Sequence, residues 1–390
     1  MNYDKEFRYM LHLLKCAVTD TEPELPPAHV DWNILYLVAI KHRIVSTTYY
    51  GIVKLPKKII SELPQFAAYQ FLYKQNLVTD ANRVYEIDRI SNALENNNID
   101  FILLKGSVIK YLYPDTSMRN MSDIDILYRN ATSDNLDKIF EKLGFNVEKK
   151  DAKDTTYLNS TTKIAVEMQP KLVDAGFKTW YQYYENIWDK CTSKNHQYKM
   201  TNEDFYIYHI VHMAKHFKNG GIGLIHILDL FVIRQNMKDL DMEYINSQLD
   251  FLGLKKYKNT MEMISDNWFG DENLCTLSDE QITLLTSYIL SGGAFGIKKN
   301  QEATLIVNRG GNKFSLLRKI FPNKTTMVNY YGRFLGKHIY LLPLYWIRLN
   351  FQRLIHFDND TKKAMEQINS IDQSYLNKVE KVLDICGLKD

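Results

Sequence analysis

Two aspartates, Asp123 and Asp125, alternate with Ile124 and Ile126 in the run DIDILY. In a strand every second side chain faces one side, so the carboxylates share one face and the isoleucines the other. Like charges held that close repel and drive a carboxyl toward protonation. A hard divalent cation, magnesium or manganese, relieves the repulsion through carboxylate oxygens. The pair reads as a metal clamp, set against the plainer alternative of a solvated edge strand. Glu167, in IAVEMQP, is a third acid in an apolar strand, with Val166 and Met168 on the face opposite to it. A carboxylate there is costly unless paired or metal-bound, so Glu167 is the candidate to complete a two-metal site and to activate an attacking hydroxyl. Upstream, DFILLKGS puts Gly106 and Ser107 between a strand and a helix. Glycine lets a ligand approach the backbone, and a helix start offers N–H groups to phosphate, although Ser107 also suits a simple helix cap. Arg119, in the loop before the clamp, adds a guanidinium fork. Donors along a phosphate chain beside a metal clamp suit a triphosphate.

These residues need a sheet to hold them. DFILLKG reads as a buried strand, 107–112 as a short helix and DIDILY as a second strand. SDNLDKIFEKLGF follows as a helix with Ser133 as its N-cap and Gly144 as its stop. TTYLNS and TKIAVEMQP then read as a hairpin. Before this sheet, 4–18, 31–52 and 59–97 read as helices; after about 176 nearly every segment is helical. The expected architecture is α+β: a small mixed sheet embedded in a mainly α-helical protein. Its three regions are an N-terminal helical region (1–97), a sheet core (98–175) and a C-terminal helical domain (176–390).

Composition excludes some classes. The chain of 390 residues is 45% hydrophobic and 24% charged, an ordinary globular balance. No stretch approaches the roughly 20 apolar residues that span a bilayer. The N-terminal MNYDKEFRYMLHLLKC mixes acids with bases and reads as an amphipathic helix, not a signal peptide. Cys16, Cys191, Cys275 and Cys386 show no CxxC spacing, so reduced thiols in a cytoplasmic protein are expected. The formal charge is +3, yet residues 303–357 contain nine bases and no acid, leaving the rest at −6. That basic, aromatic segment is a candidate for peripheral contact with RNA or an anionic membrane; buried aromatics, a solvated basic face or docking on the acidic remainder of the same chain are the alternatives.

The strand–Gly–Ser–helix, the Asp-x-Asp strand and a later acid resemble the polymerase-β-type nucleotidyltransferase superfamily. More narrowly, the chain resembles the bacterial uncharacterised nucleotidyltransferase family. The residues that carry this are Leu104-Lys105-Gly106, Arg119, Asp123 to Leu127, and His212-Met213-Ala214-Lys215-His216. HRIVSTTYYGIVKLP, IHILDLFVI around Asp229 and LLPLYWIRL extend the similarity, while Gln169 stands where relatives often carry histidine. The resemblance implies transfer of a nucleotidyl group from an NTP to a hydroxyl or phosphate of a small molecule, saccharide, protein or RNA. Asp123, Asp125 and Glu167 would be the catalytic metal ligands. Lys105, Gly106, Ser107 and Arg119 would bind the nucleotide, as would His212, Lys215 and His216 from the helical side. His209, His212 and His216 also share a helix face, which could instead suit zinc. Asp229 is expected to be a structural partner of that helix. Two other readings remain: a non-catalytic nucleotide-binding protein, which predicts a missing carboxylate, and an Asp-x-Asp glycosyltransferase, against which the Gly-Ser turn argues.

Overall fold

A computed structural model describes residues 4–151, 153–270, 275–308, 321–322, 324–355 and 371–389. The chain divides into two compact units, one of residues 1–214 with 223–277 and the other of residues 215–222 with 278–390.

The first unit is built on a seven-stranded mixed sheet: β1 (Asp100–Leu103), β2 (Asp123–Arg129), β3 (Phe145–Lys150), β4 (Thr155–Asn159), β5 (Ala165–Gln169), β6 (Cys191–Lys194) and β7 (Gln197–Met200). Their order across the sheet is β3-β4-β5-β2-β1-β7-β6. β2 lies centrally, antiparallel to β1 and parallel to β5. Ile124 and Ile126 of β2 join Val166 and Met168 of β5, Phe101 of β1 and Tyr157 of β4 in one core. Ile87, Ile90 and Leu94 from the helix Phe66–Asn96 cover it, with Leu136, Ile139 and Phe140 from Ser133–Lys142. Each fully buried aliphatic side chain contributes about 1.5–3 kcal/mol. This packing fixes which face of β2 is apolar and so sends both aspartates to the other.

The expected mixed sheet in a helical surround is present, with differences in its parts. The sheet also contains β3 and the β6–β7 hairpin, which lies beyond the expected core. The expected helix 31–52 is two helices, Trp32–Lys41 and Val45–Ile52, separated at Arg43 with φ 56°. The helix expected over 59–97 is likewise two, Lys57–Glu62 and Phe66–Asn96, with Pro64 between them. Thr132, not Ser133, caps the helix Ser133–Lys142, its Oγ1 accepting from the Asn135 N–H at 3.3 Å. Gly144 ends that segment at φ 83°, as its freedom at positive φ allows.

The second unit contains the helices Asp279–Gly292, Lys298–Val307, Lys324–Tyr331, Arg333–Lys337, Leu342–Ile355 and Gln373–Cys386. Met327, Leu335 and Leu349 form a small apolar cluster with Tyr345 and Trp346 packed against it. Among the described residues, no helix is long and apolar enough to cross a membrane. Within the basic segment 303–357, Arg309, Lys313, Arg318 and Lys319 lie outside the described residues.

Candidate active site

Parallel pairing of β2 with β5 places Asp125 directly beside Glu167. Asp123 lies two residues back on β2, on the same face. Ligand oxygens of Asp123, Asp125 and Glu167 all fall within 4.8 Å of one another. Asp125 is 4% exposed, whereas Asp123 and Glu167 are half-buried. Burial drives the Glu167 carboxyl up to about 7; Lys105 opposes this, while Asp125, Asp154 and Asp123 add to it. Burial also raises Asp125 against the pull of Lys105. A dense, partly desolvated set of oxygen donors with excess negative charge fits a divalent cation.

Lys105 lies inside this cluster. Its Nζ reaches Asp125 Oδ1 at 2.5 Å. Burial opposes its charge, but Asp125, Tyr208 and Glu167 together raise its pKa. The backbone there is unusual, with φ 49° and ψ −124° on a lysine, a conformation costing on the order of 1–3 kcal/mol. After it, Gly106–Ile109 forms a four-residue helix that continues as a 3₁₀ turn, Lys110–Leu112, where the sequence predicts one helix. The Ser107 N–H donates to the Leu104 carbonyl at 3.1 Å and the Val108 N–H to that of Lys105 at 3.0 Å. These backbone donors, which the sequence assigned to phosphate, are spent within the turn. What the turn retains is the Ser107 hydroxyl, buried without a hydrogen-bond partner.

Arg119 is placed differently from expectation. Its Nε and Nη2 grip Asp229 at 2.9 and 2.7 Å, and Nη1 donates to the Asn120 carbonyl at 2.7 Å. Asp229 also accepts from the Tyr113 hydroxyl at 2.8 Å. Asp229 is thus a structural partner of the loop before β2. The same loop is held from the N-terminal helices. Lys110 Nζ pairs with Asp80 at 2.5 Å, Thr116 donates to Asp80 at 2.8 Å, and Asn76 donates to the Ser117 carbonyl at 2.6 Å. Thr47 donates to the Met118 carbonyl at 2.7 Å. These bonds leave the loop little freedom and set where β2 begins.

The helix Asn202–Lys218 contributes a residue that sequence reasoning missed. Tyr208 is buried, and Lys105, Asp125 and Glu167 are all within its electrostatic reach. Its signal was only its place in YIYHIVH, four residues before His212. Tyr208 and the half-buried His212 are tilted neighbours with ring centroids 6.1 Å apart. His209 instead faces Asp229 and Arg119; burial depresses it to about 4. Among the described residues, no group of metal-binding side chains includes these histidines. Lys215 and His216 are half-buried and fall in the second unit. Gln169, in register with Leu127, is buried.

A family model described as uncharacterised nucleotidyltransferase matches residues 28–270. Comparison with curated proteins found no match. Among solved structures, the solution structure of the antibiotic-resistance factor ANT(2'')-Ia aligns with a TM-score of 0.34 and 15% sequence identity. That alignment covers 44% of this chain and 92% of the other.

Proposed function

We propose that this chain, which belongs to the uncharacterised nucleotidyltransferase family, moves an NMP group from an NTP to an acceptor hydroxyl or phosphate. The bond to the acceptor forms at the α-phosphorus, the α–β phosphoanhydride breaks, and pyrophosphate leaves. The observation that carries this reading is the convergence of Asp123, Asp125 and Glu167 within 4.8 Å on paired strands. Magnesium or manganese held by these acids would polarise the α-phosphate and neutralise the leaving group. Glu167, with its carboxyl near 7, is suited to orient the acceptor hydroxyl and take its proton. Ser107 offers its unpartnered hydroxyl to a phosphate oxygen. Lys105 supplies positive charge beside Asp125, and the buried Tyr208, within electrostatic reach of Lys105, Asp125 and Glu167, would shield them from water on the helix side. Arg119 acts by holding the loop to Asp229, a positioning role in place of the phosphate contact read from sequence.

One observation favours a second reading, a non-catalytic nucleotide-binding protein: the Lys105 ammonium already occupies Asp125. Wild type beside Glu167→Gln separates the two, because a non-catalytic protein binds NTP and transfers nothing in either, whereas an enzyme transfers in wild type alone. Calorimetry with magnesium and NTP, run beside product formation, should show binding retained and transfer lost. Equal loss of both would move Glu167 into nucleotide binding or folding.

A further inference from the structure

The long helix Phe66–Asn96 turns one side to the sheet core, where Ile87, Ile90 and Leu94 are buried. Its other side is uncovered. There Phe71, Lys74, Val78, Ala81, Tyr85 and Asp88 follow one another at alternating steps of three and four residues, and all six are exposed. Those steps are the a and d positions of a heptad, the seam along which two helices pack knobs into holes. The three large apolar members, Phe71, Val78 and Tyr85, are 61%, 62% and 60% exposed. Leu77 borders them, and Tyr111, exposed and within electrostatic reach of Asp88, widens the face at its far end. Lone exposed apolar residues are ordinary, but an aligned row of them along about 25 Å of one helix marks a surface that another surface covers.

The charges on the seam name the occupant. Lys74 and Asp88 each lie seven residues from Ala81, one on either side. Among the described residues neither makes an ion pair. A second copy of the chain, laid antiparallel with a two-fold axis beside Ala81, sets Lys74 of each helix against Asp88 of the other, twice over. The same register lays Tyr85 over Leu77 and Val78 of the partner subunit, and the small Ala81 lets the helices approach at the axis. A parallel pair would oppose lysine to lysine and aspartate to aspartate, and like charges facing across a seam repel. A closed two-fold pair uses one patch twice, which this symmetry of charge about Ala81 matches.

We propose that the chain forms an antiparallel two-fold dimer through the outer face of the helix Phe66–Asn96. One helix then serves twice, its inner face covering the sheet core and its outer face forming the spine of the dimer. The dimer does not depend on the nucleotidyl-transfer reading above.

The test is sedimentation velocity of the full chain over a concentration series, run on wild type, Val78→Glu, Lys74→Glu and the double variant Lys74→Glu with Asp88→Lys. Wild type should pass from monomer to dimer as concentration rises. Val78→Glu puts a carboxylate into the seam from both subunits and should raise the dissociation constant by about a hundredfold or more. Lys74→Glu sets acid against acid and should raise it about tenfold. Adding Asp88→Lys to it should restore wild-type association. All three positions are exposed, so melting temperatures measured on the monomers should stay at the wild-type value. Should Val78→Glu not fold, the charge exchange decides alone. A wild type that remains monomeric up to about 0.1 mM would leave the face to a different partner and overturn the dimer. A dimer that Val78→Glu leaves intact would put the contact on another surface, and failure of Asp88→Lys to restore association would overturn the antiparallel arrangement.

Discussion

Two groups of buried charges lie a few residues apart in this chain and are built on opposite principles. Around the loop before β2, Lys110 is wholly buried against Asp80, which also accepts from Thr116, and Arg119 spends its donors on Asp229 and a carbonyl. Lys110, Asp80, Arg119 and Asp229 all have their partners. On β2 and β5, three carboxylates meet one Lys105 ammonium, and the hydroxyl of Ser107, two residues after Lys105, has no partner. Satisfied buried charge holds a structure in one arrangement, whereas carboxylates crowded together with fewer cations than charges are suited to take up a further cation. The first group costs stability when broken; the second costs activity.

The largest expected effect falls on the unsatisfied group. Asp123→Asn keeps the shape and removes a charge, so turnover in magnesium should fall by about a thousandfold or more, while the metal-free melting temperature stays the same or rises slightly. Wild-type turnover in this variant would break the contrast. Asp80→Asn should do the reverse. It strands Lys110, which is 0% exposed, and removing one partner of a buried pair costs about 3–5 kcal/mol. Urea unfolding would read this directly. A loss below about 1 kcal/mol would mean that water reaches Lys110.

The next effect depends on pH. With its carboxyl at about 7, metal-free folded protein holds a proton on Glu167 that the unfolded chain releases near 4.5. Folded protein binds more protons across that window, so this contribution to stability is full below about 4.5 and is lost as pH rises through 7. His209, lowered to about 4, acts oppositely: its contribution is full above about 6.5 and lost as pH falls toward 4. The difference between wild type and Glu167→Gln isolates the glutamate. Its slope between pH 5 and 7.5 should vanish in the variant, and magnesium binding to wild type should release protons near pH 7. An identical pH profile in both proteins would remove Glu167 from the buried cluster.

The smallest effect concerns the basic segment. Tyr340, Leu344, Ile347 and Phe351 are exposed at three- and four-residue spacing, with Arg348 exposed beside them. Sedimentation should show binding to anionic vesicles at low salt that high salt reverses, and Arg348→Ala should weaken it by roughly 1 kcal/mol. Binding of tRNA in its place would assign the segment to nucleic acid. Binding of neither would make it structural.

What was legible in the sequence follows from range. Period-two alternation exposed β2 and β5, because burial on one face dictates isoleucine, valine and methionine there. β3, β6 and β7 were missed: FNVEKK, CTSK and QYKM are largely exposed strands with little apolar alternation to read. The carboxylates could be named individually because each sits in its own strand pattern. The Arg119–Asp229 pair spans 110 residues, and no local spacing reports a partner that distant.

The central claim is that Asp123, Asp125 and Glu167 act together on an NTP, and mass spectrometry of acceptors tests it most directly. Cell extract incubated with purified protein, magnesium and each isotopically labelled NTP should yield an acceptor heavier by one NMP, with pyrophosphate in equal amount. Asp123→Asn and Glu167→Gln should yield none. An adduct formed equally by wild type and both variants would contradict the assignment, and so would nucleotide bound by wild type with no adduct from any NTP.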